Sequence, residues 1–228
     1  MKRLLTVLLA GFGFALGLAA SAGAHGSQYW DILWPKAPNP PNVHWGFNEE
    51  VMGSQKRDSI RSGANRWDFA NGADFKFTQD LPDETADYPG WNRAEDCSPA
   101  PNNSVHLDNS IPDSGGYQNA LAVAQVCDVD GDGKIGAFIV VFDRDDWNWN
   151  WDSGSPGSNQ ADSRSVAAHE FGHAWGGWFS SGHFTGSSLC PDNSGRHTMC
   201  ATHILGTTWQ RTLETHDSHT LSNAYPAP

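Results

Sequence analysis

Positive charge is scarce in this chain. Its 228 residues hold 14 Lys and Arg against 26 Asp and Glu, a formal net charge of −12. A chain so acidic repels nucleic-acid phosphates and anionic membrane surfaces, so neither is expected as a partner, and the excess of carboxylates otherwise serves solubility. Internal repeats and low-complexity linkers are also lacking, and nothing divides the chain into several folding units. Cysteine is sparse but even in number: Cys97, Cys127, Cys190 and Cys200. In an exported protein that favours two disulfides over free thiols, and the sequence alone permits three pairings.

Long apolar runs are absent except at the start. Lys2 and Arg3 form a short positive end, residues 4–20 are apolar and rich in small side chains, and two small-x-small sites follow, Ala20-Ser21-Ala22 and Ala22-Gly23-Ala24. That is the build of a secretory signal peptide, residues 1–24, rather than of a membrane anchor. Its removal takes away Lys2 and Arg3 and moves the net charge from −12 to −14. Residues 25–228 are then expected to be one extracellular domain, large enough for a sizeable core, monomeric and free of the membrane.

Hydrophobic periodicity outlines the elements. Residues 43–48 and 73–78 alternate apolar and polar, as half-buried strands do. Between them Ser54 can cap a helix to about residue 68, with Ile60, Ala64 and Trp67 on one stripe. Residues 79–102 are rich in Pro, Asp, Asn and Gly and read as a long surface loop. A short strand is expected at 104–107 and two more at 120–126 and 137–142. The last reads AFIVVF, continuously apolar, as suits a strand buried on both faces. The turn-rich CDVDGDGKIG between those two reads as a hairpin. A helix over 163–175 follows, with Asp162 as N-cap, then a stretch of little period over 176–208 and a closing helix over 213–225. The expected fold class is α/β (α+β), with helices layered on a mixed sheet.

The chemistry concentrates in VAAHEFGHAWG, residues 166–176. His169 and His173 are four residues apart, so on a helix they stack on one face within reach of a single ion. Zinc favours tetrahedral nitrogen ligation, and a catalytic site uses three protein ligands and keeps one position open. Glu170 sits one step round the helix, close to the metal without being needed as a ligand. It can take a proton from zinc-bound water and pass it to a leaving amine. Ala167, Phe171 and Ala174 form the opposite stripe and are expected to face the core.

The segment resembles the metzincin clan of zinc metalloproteases, most of all its matrixin-like secreted bacterial type. There the pattern HExxHxxGxxH is followed by a methionine turn beneath the metal. Residues 169–176 match its first part, with Gly176 where the helix ends, and Met199 in RHTMC matches the methionine. The resemblance covers roughly 43–225, with gaps in the loops. It implies a zincin-like domain: a twisted mixed sheet with an antiparallel edge strand, the HExxH helix and a C-terminal helix.

It also implies a secreted zinc metalloendopeptidase acting on protein or peptide substrates. Three residues after Gly176, where the family has its third ligand, this chain has Phe179, which has no donor atom. A four-residue insertion restores the match at His183, which is therefore the expected third ligand; His197, Asp192 and His203 are the alternatives. Astacins carry a tyrosine two residues after the methionine, and Ala201 stands there instead. The segment between the signal and the first strand is too short for the folded pro-domain of many metzincins and has no cysteine to block the zinc. The expected disulfides are Cys97–Cys127 and Cys190–Cys200, the second tying the third-ligand segment to the methionine turn.

Asp128, Asp130 and Asp132, with Gly133, resemble the start of a calcium-binding EF-hand loop, but Ile139 holds the twelfth position, where a bidentate acid belongs. An Asp-Gly hairpin is the plainer reading, with a structural Ca2+ completed by a carboxylate such as Asp143 as the other. Trp147, Trp149 and Trp151 alternate and are expected to pack over the zinc helix rather than to hold a ligand. Two other functions compete with the peptidase: a non-catalytic zinc-binding protein, and a zinc hydrolase acting on a non-peptide substrate. Glu170 argues against the first, because a structural zinc site does not need that acid.

Overall fold

The computed structural model describes residues 19–21, 33–35, 41–48, 53–80, 103–108, 111, 119–176, 190, 197–200 and 202–228. Its centre is a five-stranded sheet built from β2 (Asn42–Phe47), β3 (Lys76–Gln79), β4 (Ser104–Asp108), β5 (Ala122–Cys127) and β6 (Ala137–Asp143), in the order β3-β2-β4-β6-β5. The pairs β2/β3, β2/β4 and β4/β6 are parallel; β5 joins β6 antiparallel and forms one edge. The expected mixed sheet with an antiparallel edge strand is therefore present.

The hairpin is what makes that edge antiparallel. Asp128 accepts the backbone N–H groups of Asp132 and Gly133, and Asp132 accepts that of Lys134. Gly131 and Gly133 take the positive φ angles the turn requires, 71° and 76°.

β6 is buried along its whole length, and its two faces feed different clusters. Phe138, Val140 and Phe142 join the main core with Val43, Trp45, Phe47, Phe77, Val105 and Leu107. Ile139 and Val141 pack with Ile111, Ala120 and Val123 on the other side. This is the physical content of the uninterrupted AFIVVF run.

Two helices cover the main-core face. Helix α1 (Ser54–Ala64) is shorter than the residues expected for it: it stops at Asn65 and continues as turns, though Ile60, Ala64 and Trp67 are fully buried as one stripe. Ser54 is its first residue, not its cap; Gly53 is at the N-cap with no side-chain hydrogen bond. Helix α2 (Ser163–Ala174) packs across α1 at Gly63. A Cβ there would lie 2.5 Å from the Ala167 Cβ and 2.6 Å from the Ala168 nitrogen, so only glycine lets the helices approach so closely. Helix α3 (Thr215–Ala224) closes the chain, opened by a capping box between Glu214 and Asp217.

Smaller pieces were not visible in the periodicity: β7 (Trp149–Asn150) parallel to β8 (Ala161–Asp162), and β1 (Ala19–Ser21) antiparallel to β9 (Thr202–Ile204). Short strands held by a few hydrogen bonds leave no pattern long enough to read. β1 lies in the segment expected to be removed on export. Among the described residues, no helix is long and apolar enough to cross a membrane.

Candidate metal centre

Helix α2 carries the motif, and its ends are tightly held. Asp162 caps it as the sequence led one to expect, accepting the Ser165 N–H and hydroxyl, and is itself buried against the Arg211 guanidinium at 2.5 and 2.8 Å. At the other end Gly176 adopts φ 95° and its N–H returns to the His173 carbonyl, ending the helix. The carbonyls left open there are taken by side chains: Trp34 Nε1 donates to Ala174 O and the Tyr225 hydroxyl to Trp175 O.

The back of α2 is pinned to the sheet. The Phe171 ring meets those of Trp45, Phe77 and Phe138 edge-on at 4.8, 4.9 and 5.7 Å. Phe171 is two residues from both His169 and His173, about 200° round the helix, so burying it turns both histidines away from the sheet.

His169 and His173 lie side by side, ring centroids 4.8 Å apart, with their Nε2 atoms facing each other at 3.1 Å. The His169 Nδ1 is 2.7 Å from the Thr198 carbonyl oxygen. A carbonyl only accepts, so Nδ1 carries the proton and Nε2 keeps its lone pair, directed at His173. Two nitrogens bound to one tetrahedral zinc at ~2.0–2.1 Å would stand ~3.3 Å apart, close to the spacing seen.

Glu170 is fully buried, and among the described residues neither carboxylate oxygen has a hydrogen-bond partner. Burial drives its pKa well above the ordinary carboxylate value. An orphaned buried acid beside two converging imidazoles fits a site that also receives a cation and a polar ligand.

The Met199 segment lies against the same helix. A Cβ built on Gly172 would meet Met199 Sδ at 2.2 Å and Trp67 Cζ2 at 2.7 Å, so Met199 sits directly against the turn between the two histidines. The turn is held from below by Asp217, buried and acceptor of the Thr198 and Glu214 N–H groups at 2.9 and 3.0 Å. Cys190 and Cys200 are joined as expected, Cα atoms 5.7 Å apart. Cys127 is also disulfide-bonded, and Cys97 lies outside the described residues.

His183 and Asp192 lie outside the described residues. Among those that are described, no three His, Cys, Asp or Glu side chains converge on one point, whether at His169 and His173 or among Asp128, Asp130 and Asp132. The alternative ligands that are described have other surroundings. His203 is buried, with Nδ1 2.8 Å from Gln210 Oε1 and Nε2 accepting the Asp162 N–H at 3.3 Å. His197 stacks edge-on against His216 at 5.2 Å.

The tryptophans pack on β6 rather than over the site helix. Trp149 and Trp151 lie against Phe142, and the Trp147 and Trp149 indoles donate to Ala120 O and Asp143 O. Sequence reasoning missed Thr198, Gln210 and Trp34, whose roles lie in contacts across the fold and leave no local spacing to detect.

No family model matches the chain, and no curated protein matches it either. Two solved structures of myroilysin resemble it, each 13% identical. One likeness covers 88% of this chain and 84% of that one with a TM-score of 0.45, the other 100% of both with a TM-score of 0.49.

Proposed function

We propose that the chain is a secreted zinc-dependent endopeptidase, with His169, His173 and His183 holding the metal and Glu170 as general base. The observation that carries this is the fully buried Glu170 carboxyl, without a hydrogen-bond partner among the described residues, on the same helix as two imidazoles whose Nε2 atoms face each other at 3.1 Å. Zinc, when bound, supplies a Lewis acid that polarises the scissile carbonyl and acidifies water. Glu170 takes the proton from the water that adds to the carbonyl carbon, and delivers it to the amine nitrogen as the C–N bond breaks.

Substrate alignment falls to β5. Among the described residues no strand pairs with its outer edge, and α2 packs beside it. An extended peptide can add there as a further strand, drawing affinity from main-chain hydrogen bonds. Such binding reads backbone rather than sequence and suits cleavage inside unfolded polypeptides. The acidic surface makes nucleic acid an unsuitable partner.

Hydrolysis of an unstructured polypeptide, measured with and without a chelator and after zinc is restored, tests the reaction class. Glu170→Ala is expected to keep its zinc and lose ~10²–10⁴-fold in turnover. A variant that retains more than a few per cent of activity removes Glu170 from the base role. Activity that survives complete zinc removal refutes the metal reading.

A further inference from the structure

The Thr198 carbonyl that orients His169 is itself held by a buried relay. Gln210 is 2% exposed, in a 3-10 turn (Trp209–Arg211). Its Nε2 donates to two carbonyls of the methionine segment, Thr198 O and Cys200 O, both at 3.1 Å. Its Oε1 is 2.8 Å from His203 Nδ1. His203 Nε2 in turn accepts the backbone N–H of Asp162, the cap of the very helix that carries His169.

The orientations are fixed by the partners. Turning the Gln210 amide over would set its oxygen against two carbonyl oxygens, so the nitrogen faces them and Oε1 faces His203. Oε1 only accepts, so His203 carries its proton on Nδ1, which leaves Nε2 free to accept from Asp162. Every hydrogen bond in the circuit has one permitted direction. It runs from the start of α2, through His203, Gln210 and Thr198, back to His169 about two turns further along that helix.

From this we infer that Gln210 and His203 are positioning residues for the metal ligand His169, an inference that rests on the zinc reading above. Thr198 O receives both the His169 Nδ1–H and a Gln210 N–H. Without Gln210 one lone pair loses its partner, the carbonyl loses one of the contacts that fix its direction, and the contact that sets the Nε2 direction of the His169 ring is weakened. Outer partners of metal-bound histidines of this kind typically change metal affinity by ~10–100-fold when removed. Neither residue touches the substrate or the reacting atoms. His203, an alternative ligand on spacing alone, has both ring nitrogens committed to the circuit.

The test uses the full mature chain. Zinc affinity is measured by competition with a chromophoric chelator for wild type, Gln210→Met, His203→Ala, His203→Asn and the core control Ile60→Ala. Gln210→Met keeps the side-chain length and removes the donors, and is expected to weaken zinc binding ~10–100-fold. His203→Ala is expected to do likewise, while His203→Asn, which restores a donor at the Nδ1 position, recovers most of the affinity. Ile60→Ala is expected to melt earlier and bind zinc as wild type does.

A readout without metal accompanies these: in the zinc-free protein, solvent exchange of the His169 Nδ1 proton, followed by NMR with ¹⁵N-histidine, is expected to speed up in Gln210→Met and not in Ile60→Ala. The inference is overturned if Gln210→Met and His203→Ala bind zinc as tightly as Ile60→Ala, or if the exchange rate is unchanged. A wild type that takes up no zinc would instead sink the metalloprotease reading, and the exchange rate alone would then decide whether the relay orients His169.

Discussion

The candidate metal centre has two halves that are built differently. The helical half, His169, Glu170 and His173, is positioned by one continuous element whose back is fixed by Phe171 and whose cap is Asp162. The turn half, Thr198, Met199 and Cys200, has no regular structure of its own and is held by Asp217, Gln210 and the disulfide to Cys190. Helical geometry fixes side chains by local hydrogen bonds, so a spacing of four residues is enough to place two ligands. A turn must borrow its rigidity from partners elsewhere in the chain, and here those partners are buried polar groups with few alternatives.

The comparison can be broken most severely at the return from the helix. His183→Ala should lower zinc affinity on the order of a hundredfold or more, since the ~10–16 kcal/mol of a structural zinc site is shared among four ligands. His197→Ala should leave it almost unchanged, because its ring stacks on His216. Bound zinc per chain after dialysis checks both, and full occupancy at unchanged affinity in His183→Ala would reassign the third ligand.

The contact between the halves comes next. Gly172→Ala puts a methyl where Met199 Sδ and Trp67 Cζ2 already stand, and should cost ~1–3 kcal/mol, or several degrees in melting temperature. Thermal melting would measure it; a variant as stable as wild type would show that the methionine turn yields freely and that the halves are not rigidly packed.

A third variant lies outside both halves. His106 is buried beside Ser104, with a pKa pushed down to about 4, chiefly by burial. A histidine depressed in the folded state contributes stability above its unfolded value of ~6.5, and that contribution drains away as pH falls toward 4. Between those limits wild type should lose up to ~3 kcal/mol that His106→Gln does not lose. Denaturant melts at pH 7 and pH 4.5 give the difference, and parallel pH profiles for the two proteins would contradict it. Zinc affinity at pH 7 should be the same in both.

The smallest effect is expected at the end of the helical half. Tyr225→Phe removes the hydroxyl that donates to Trp175 O and accepts the Trp34 N–H, and should cost ~1–2 kcal/mol. If the helical half is self-sufficient, zinc affinity will not change; a parallel loss of affinity would mean that the helix end, too, depends on remote partners.

Much of this protein could be read from periodicity. The order of the five sheet strands' segments, the buried character of 137–143, the capped helix after Asp162 and its stop at Gly176 all follow from side-chain alternation, cap chemistry and glycine, which act within a few residues. That His169, Glu170 and His173 share one helix was legible for the same reason.

What the sequence by itself left open was decided by contacts between distant residues. Ser54 had the chemistry of a cap, yet the helix begins on it. The three tryptophans could have covered α2, yet the Trp147 and Trp149 indole N–H groups find carbonyls at Ala120 and Asp143, and the Trp149 and Trp151 rings find Phe142. His203 looked like a ligand by residue type, and only folding brings it between Asp162 and Gln210, where its two nitrogens are spent on structure. A local pattern determines which groups can share a helix face. Which buried donor meets which buried acceptor across 40 residues depends on how the layers pack, because an unpaired polar group in the interior costs more than almost any local preference can return.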